Sequence, residues 1–409
     1  MTLRRLLSFD PAVRLLMVNQ LTINVGFYML MPYLAGHLSH GLGMAAWAVG
    51  LVLGARNLSQ QGLFLLGGTL ADRLGYKNVI VAGCLLRTSG FVLLGFADSL
   101  GALLVASAAT GFAGALFNPA VRAYLAHAAA DRRVEAFALF NVFYQAGTLL
   151  GPLIGLTLVA VDFRLVCLVA GGLFAALTVL QIRALPPCHA VPVAAAGVLG
   201  DWRAIVGNRP FLLFAVAMTG AYVVSFQIYL VLPLEVGDAG AVTAIFALSA
   251  AVAVVGQSRI TSWARERWAP PYAISMGLAS MGVAFVPPAL CAALWPDATA
   301  ARVGAILVCA VVLTFGTTLS YPFEMDTVVR LSGERLVATH YGLYNTVAGV
   351  GIALGNLLTG ALLDTGVRVL TWIALAALGG AGALAVHLLG RAGRLAGSEP
   401  VAVVGSRVA

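Results

Sequence analysis

Six ionisable side chains lie inside long apolar runs of this chain, and chemistry has to be sought there first: Arg56, Arg87, Arg122, Arg259, Glu324 and Asp326. A charge in an apolar run costs roughly 3 kcal/mol on insertion scales, so each of the six needs a partner or water. Arginine stays charged, which leaves Glu324 and Asp326 as the two groups able to take up and release a proton. A carboxylate carried between water and an apolar wall changes its affinity for a proton, and such a change can couple proton movement to that of another solute. Glu324 follows Pro322 by two residues and Arg122 follows Pro119 by three, so the two charges hold comparable places in the two halves. The expectation is that Glu324 carries the proton, with Asp326 second and Arg122 tuning it. A plainer alternative stays open: both acids lie toward one end of their run and can form a structural ion pair with Arg122 or Arg330.

A second set suits binding rather than proton transfer. Asn24, Phe27 and Tyr28, then Arg56, then Asn141, Tyr144 and Gln145, then Tyr222, Phe226, Gln227 and Tyr229, and finally Tyr344 with Asn345 place rings and amides in five apolar runs. Rings hold apolar or cationic compounds through buried area and their negative faces, and a few amides fix orientation. For any single ring, packing against a neighbouring helix is the competing reading. The five cysteines are scattered without a Cys-x-x-Cys pair, so neither a disulfide framework nor a metal site is expected. No Gly-x-x-x-x-Gly-Lys-Ser/Thr run occurs, and ATP is not expected as the direct fuel. No cofactor is expected.

The elements that must position these residues are membrane helices. The chain has 409 residues, 61% of them hydrophobic and 10% charged, against about 25% charged in a soluble domain. A crossing needs about 20 apolar residues, which excludes barrel strands of about 10. Helical crossings are expected at 13–34, 46–70, 79–96, 100–125, 136–159 and 165–185, then at 211–234, 241–263, 272–294, 303–328, 341–363 and 369–389. An interfacial helix is expected at 200–209, where Trp202 stands beside Arg203. Of the 24 lysines and arginines, seventeen fall in the loops and tails of one side and three, Arg164, Arg302 and Arg368, on the other. Cationic loops stay inside, so both termini are expected in the cytoplasm, and the formal charge of +8 reflects loops at a lipid surface rather than nucleic acid.

The two halves repeat each other. Asn118-Pro119 and Arg132 return as Tyr321-Pro322 and Arg335, while Asn141, Gly147 and Gly151 return as Asn345, Gly351 and Gly355. Asp72-Arg73, ten residues before Gly83, returns as Glu266-Arg267, ten residues before Gly277. Secondary transporters are built from such repeats, with the substrate site between them near the midplane.

Two motifs carry a family resemblance. Gly67-Gly-Thr-Leu-Ala-Asp-Arg-Leu-Gly-Tyr-Lys77 packs glycines, one acid and two cations between apolar runs. Its spacing of Gly68, Leu70, Asp72, Arg73, Gly75 and Lys77 resembles the loop signature of the major facilitator superfamily, with Tyr76 where that family usually has a base. In the fifth crossing, Gly147, Gly151, Pro152 and Gly155 resemble the signature of the drug:proton antiporter branch, with Leu156 departing from its usual second glycine. The resemblance implies an all-α membrane protein of twelve transmembrane helices in two pseudo-symmetric six-helix bundles. It also implies that the hairpin locks and releases an inner gate, with Asp72 docking at the start of the eleventh crossing near His340. The family's fourth helix often carries an arginine where this chain has Ser107, and the first crossing lacks an acid.

The domains that follow are a bundle at 1–185, a cytoplasmic linker at 186–209, a second bundle at 210–390 and a cytoplasmic tail at 391–409. The expected partners are protons, a small-molecule substrate and the lipid bilayer of the cell membrane, with the chain monomeric and not an enzyme. The expected function is proton-coupled export of small lipophilic or cationic compounds. Export of one metabolite such as a sugar, amino acid or siderophore is the alternative. A membrane-embedded transferase would need clustered His, Asp or Glu at a membrane face, and a receptor or scaffold would leave the buried acids and glycines without a use.

Overall fold

A bilayer offers the backbone no water, so a spanning chain has to satisfy its amides internally. The computed structural model describes residues 6–44, 46–189, 197–236 and 239–395, and every long element among them is helical. Arg4, Arg5 and Arg407, the middle of the expected linker and most of the expected tail lie outside the described residues.

The helices are α1 (Pro11–Gly36), α2 (Ala46–Gly62), α3 (Phe64–Leu74), α4 (Tyr76–Phe96), α5 (Leu100–Ala129), α6 (Arg133–Val159) and α7 (Phe163–Ala184). They continue as α8 (Val198–Gly207), α9 (Arg209–Phe226), α10 (Val231–Val236), α11 (Ala239–Arg267), α12 (Pro270–Val283), α13 (Val286–Leu294), α14 (Thr299–Leu331), α15 (Val337–Asp364) and α16 (Arg368–Arg391). Ten segments among the described residues are long and apolar enough to cross a membrane. One of them, Leu100–Val159, holds both α5 and α6, and the broken pair α2 and α3 is not among the ten. The expected seventh crossing is likewise broken, at Gln227–Tyr229, and the ninth at Ala284 and Phe285, just before Pro287 and Pro288. A proline cannot continue the hydrogen-bond ladder and clashes with the preceding turn, which accounts for the second break.

Polar caps fix where three helices begin, two of them, α7 and α9, two residues earlier than the apolar runs. Ser99 accepts from the Ala102 amide before α5, Asp162 from the Arg164 amide before α7, and Asn208 from the Phe211 amide at α9. Such residues satisfy amides that have no partner in the first turn, and hydrophobicity alone does not register them.

The packing of the first seven helices recurs in the later ones. α1 packs on α6 as α9 packs on α15; α4 on α5 as α12 on α14; α4 on α7 as α12 on α16; and α2 on α5 as α11 on α14. Two further pairings join the halves: α3 with α15, and α6 with α11.

Glycine sets the depth of the internal crossings. A Cβ on Gly147 would stand 2.6 Å from the Asn24 Cβ, one on Gly151 would stand 2.7 Å from that of Tyr28, and one on Gly155 would overlap the Met29 carbonyl oxygen. The same groove exists in the other half, where a Cβ on Gly351 or Gly355 would overlap the side chains of Thr219 or Val223. Small residues four apart let two helix backbones approach, and dispersion over that seam replaces the hydrophobic drive that lipid cannot supply. Tyr33 ties the seam further by donating to the Pro152 carbonyl at 2.7 Å. A Gly155→Ala variant should therefore lose roughly 1–3 kcal/mol through overpacking. Gly172→Ala, at a position with open space around it, should melt like the parent protein. Thermal unfolding of both in detergent checks this, and equal melting would remove the α1–α6 seam as described.

Candidate functional site

Asp72 sits one turn from the end of α3 and belongs to the first half, yet its carboxylate is bonded to the second. It accepts from the Ala338 amide at 3.2 Å, the Thr339 amide at 2.7 Å and the Thr339 hydroxyl at 2.6 Å. α15 starts just there, after Leu336 in the left-handed region at φ 49°, and has no capping side chain of its own. The first amides of a helix lack intrahelical partners and carry partial positive charge, so an acid is the side chain that settles them. Tyr76 donates a further bond to Asp72 at 3.1 Å. The approach depends on Gly68, whose Cβ would overlap the Ala338 carbonyl, and on Gly342, whose Cβ would stand 2.5 Å from the Phe64 oxygen.

The rest of the hairpin holds the linker. Gly75 turns the chain at φ +88°, where an L side chain is strained. Arg73 pairs with Asp201 of α8 at 2.6 Å, and Trp202 donates to the Thr69 hydroxyl at 2.8 Å. Lys77 donates to the Ile182 carbonyl at 2.9 Å and the Tyr76 amide to the Cys188 carbonyl at 2.9 Å. Burial pushes the Cys188 thiol above its usual value, so it is a packed side chain there rather than a reactive thiolate.

A second lock lies at the same end. Arg133 at the start of α6 pairs with Asp326 at 3.2 Å and with Glu334 at 2.7 Å, and Arg330 pairs with Asp326 at 3.0 Å. The seam between α6 and α11 is looser: a recess of about 450 Å³ opens between Glu135, Leu139, Ser258, Thr261 and Arg265.

Deeper in, the buried Glu324 takes a different environment from its neighbour. Its Oε1 accepts from the Tyr222 and Tyr344 hydroxyls, each at 2.6 Å, and among the described residues no cation stands within 4.0 Å of it. Arg122 acts on it electrostatically from farther away and donates to Asn345 at 3.2 Å. Tyr28 and Tyr144 share a hydroxyl contact at 3.1 Å, and Asn24 donates to the Tyr144 carbonyl at 3.2 Å. Asn141 bridges the halves by donating to Gln257 at 2.6 Å, and Gln257 donates on to the Thr318 carbonyl at 2.8 Å. Arg56 faces the Phe27 ring, and Phe226 packs on Tyr229. Gln145 is half-buried on α6. Gln227 turns inward, 0% exposed and bonded to the Val223 carbonyl and to Asn356, so in this conformation it presents no surface to a ligand.

The two acids expected to act together are thus placed apart in role: Asp326 in an ion-pair cluster at the hairpin end, Glu324 among tyrosines. Glu324 and Arg122 do not form the ion pair that sequence left open. Sequence reasoning missed Arg133, Thr339, Gln257 and Tyr321, the last close enough to Arg122 to feel its charge. Arg133 was visible only as one loop cation among many, and Thr339 gave no signal because its amide, common to every residue, makes half the contact.

The profile described as Major Facilitator Superfamily matches residues 16–355. The chain belongs to that superfamily. An MFS-type transporter of Mycobacterium tuberculosis H37Rv, itself described as uncharacterized, is 53% identical over 371 residues, covering 89% of this chain and 88% of its own. The multidrug resistance protein MdtH of Klebsiella pneumoniae is 30% identical over 373 residues, 89% of this chain and 90% of its own. Two solved folds are similar. The E. coli fucose:proton symporter FucP has TM-score 0.73 at 12% identity, covering 92% of this chain and 98% of its own. The human organic anion transporter MFSD10 (TETRAN) has TM-score 0.66 at 14% identity, covering 92% and 99%. The protein is a multi-pass membrane transporter of this superfamily, not an enzyme, and its hairpin end is closed in this structure.

Removing the acid that caps α15 should loosen that closure. Asp72→Ala loses a cap of about 0.5–2 kcal/mol, enough to populate a second state severalfold more. In a cysteine-free background, spin labels on Asp131→Cys and Arg335→Cys, both exposed at this end, should gain a longer distance when Asp72→Ala is added. An unchanged distribution would mean that the cap does not hold the end shut.

Proposed function

We propose that this transporter exports small lipophilic or cationic compounds from the cell in exchange for protons, by alternating access of two bundles at 1–185 and 210–390 around a central chamber. The observation that carries the reading is Glu324. It is a carboxylate 4% exposed within α14, held by two phenolic donors rather than by a cation. A buried acid without an ion-pair partner is easily held neutral and has to find water or a cation when charged. Tyr222 and Tyr344 come from α9 and α15, so a shift of either helix changes what Glu324 can bond.

Support for export of drug-like compounds comes from the MdtH relatives, named for multidrug resistance, and from the glycine seam of α6. The hairpin end is taken as cytoplasmic because the loop cations gather there. The hairpin is then the inner gate, with Gly68, Asp72, Arg73, Gly75 and Lys77 holding it. Asp326 belongs to that gate through Arg133 and Arg330, and Arg122 sets the field at Glu324. The substrate surface runs over Tyr28, Arg56, Asn141, Tyr144, Gln145, Tyr222, Phe226 and Asn345, while Asn24 and Tyr344, 5% and 1% exposed in this conformation, stand behind it as Gln227 does. Both walls come from one chain, so a monomer suffices.

The test is transport in proteoliposomes under an imposed pH gradient, across cationic, neutral and sugar solutes. The parent protein should accumulate several unrelated lipophiles against a gradient. Glu324→Gln should still exchange labelled for unlabelled substrate but no longer accumulate it. Gradient-driven accumulation at the parent level in Glu324→Gln would take the proton away from this residue, and strict selection of one polar solute would replace the multidrug reading.

A further inference from the structure

Glu324, in the second half, is an acid without a cation; the helices of the first half hold two cations without an acid. Arg87, on α4, is 6% exposed, and its Nε has no hydrogen-bond partner. Its only hydrogen bond among the described residues runs from Nη2 to the Thr110 carbonyl at 3.5 Å, the outer limit of such a contact. Arg56, on α2, is half-buried and donates to two neutral amide oxygens, Gln60 at 3.1 Å and Asn57 at 2.5 Å. Both guanidinium groups stand against the Phe27 ring, at 5.0 Å and 5.5 Å from its centroid, which keeps the two like charges within about 10.5 Å of each other. Arg87 also faces Phe174 at 5.5 Å. Neither arginine has a carboxylate within 4.0 Å among the described residues.

Ring faces offset part of the cost of burying a guanidinium, about 0.5–2 kcal/mol each, well short of the several kcal/mol that an unpaired buried ion loses. Arg122, the third cation inside the helices of this half, has found Asn345 of the second half. The acids of the first half all sit at helix ends or in loops: Asp10, Asp72, Asp98, Asp131, Glu135 and Asp162. The missing counter-charge therefore has no source within this wall. Gly114 lets the Arg87 and Gln60 heads lie flush against α5, since a Cβ there would stand 2.7 Å from the Arg87 Nη2 and 3.1 Å from the Gln60 side chain.

We propose that Arg56 and Arg87, with Phe27 between them and Gln60 beside them, form a subsite for the carboxylate of an aromatic organic anion. Arg56 is the more exposed of the two and makes the direct contact, since its planar fork matches a carboxylate. Arg87 supplies positive field from behind the ring. Phe27 and Tyr28, which meet edge-on at 5.1 Å, take the aromatic body. The chamber then has an anion-accepting wall in the first half and a cation-accepting wall at Glu324. This rests on reading the space between the halves as the transport chamber, and it adds a class of substrate to that reading.

The experiment measures binding alone, in purified detergent-solubilised full-length protein, with 2-naphthoate and its neutral analogue 2-naphthamide as probes. In the parent protein naphthoate should bind at least about tenfold more tightly than naphthamide, the margin expected of one charge-assisted bidentate contact. In Arg56→Gln the ratio of the two affinities should fall to near one, and Arg56→Lys should recover part of it. Arg87→Gln should lower the ratio less. Monodisperse elution establishes that a variant is folded. Equal affinities in the parent protein, no measurable naphthoate binding, or an unchanged ratio in folded Arg56→Gln would each overturn the subsite. Because no pH gradient is involved, failure of proton-driven transport leaves this result standing, and failure of the anion preference leaves the coupling reading standing.

Discussion

The structure depends on a carboxylate that crosses from one half of the chain to the other. Asp72 supplies what α15 lacks, an acceptor for its first amides, and the Thr339 hydroxyl doubles the contact. Helix ends are the one place where a helical membrane protein is left with unsatisfied backbone groups by construction. Filling that vacancy from the opposite half makes closure of the hairpin end part of the backbone accounting of the fold. Gly68 and Gly342 follow from the same need, since any side chain at either position would hold the carboxylate away from the helix it caps.

The second constraint is the pair of glycine seams. Gly147, Gly151 and Gly155 receive α1, and Gly351 and Gly355 receive α9, so equivalent helices meet at equivalent depth in both halves. Each half is thereby packed along its own seam, while the halves meet through the close α3–α15 crossing and a few polar links: the Asp72 cap, the Asn141–Gln257 bridge, the Arg133 cluster and the Arg122–Asn345 bond. Dispersion dominates within each half, and between the halves it is joined by exchangeable hydrogen bonds and ion pairs. That division suits motion between the halves, because polar partners can be exchanged for water whereas a buried seam cannot.

Much of this was legible in the chain itself. Apolar runs placed the helices because lipid demands length and hydrophobicity, and the recurring Asn-Gly-Gly pattern at 141–151 and 345–355 marked the two halves as repeats of each other. Breaks at Leu63 and at Gln227–Tyr229 were not legible, since the polar residues there, Ser59 to Gly62 and Gln227, are too few to end an apolar run. At the site, sequence identified the unusual residues but not their pairing. Glu324 and Asp326 are two residues apart and looked interchangeable. On a helix such neighbours point in directions about 200° apart, which sends one to tyrosines and the other to arginines. Arg87 was equally visible as a charge out of place, yet only the structure reveals that its own half contains nothing to neutralise it.

Asp72 and Arg73 are adjacent in sequence and therefore leave α3 on different faces. The first grips the far half and the second grips the linker through Asp201. Displacing that one turn of helix breaks both holds at once, so intermediates with a single hold released are short of compensation. Any movement of that turn away from the second half is therefore also a movement away from the linker, and the three parts of the chain are tied at a single point.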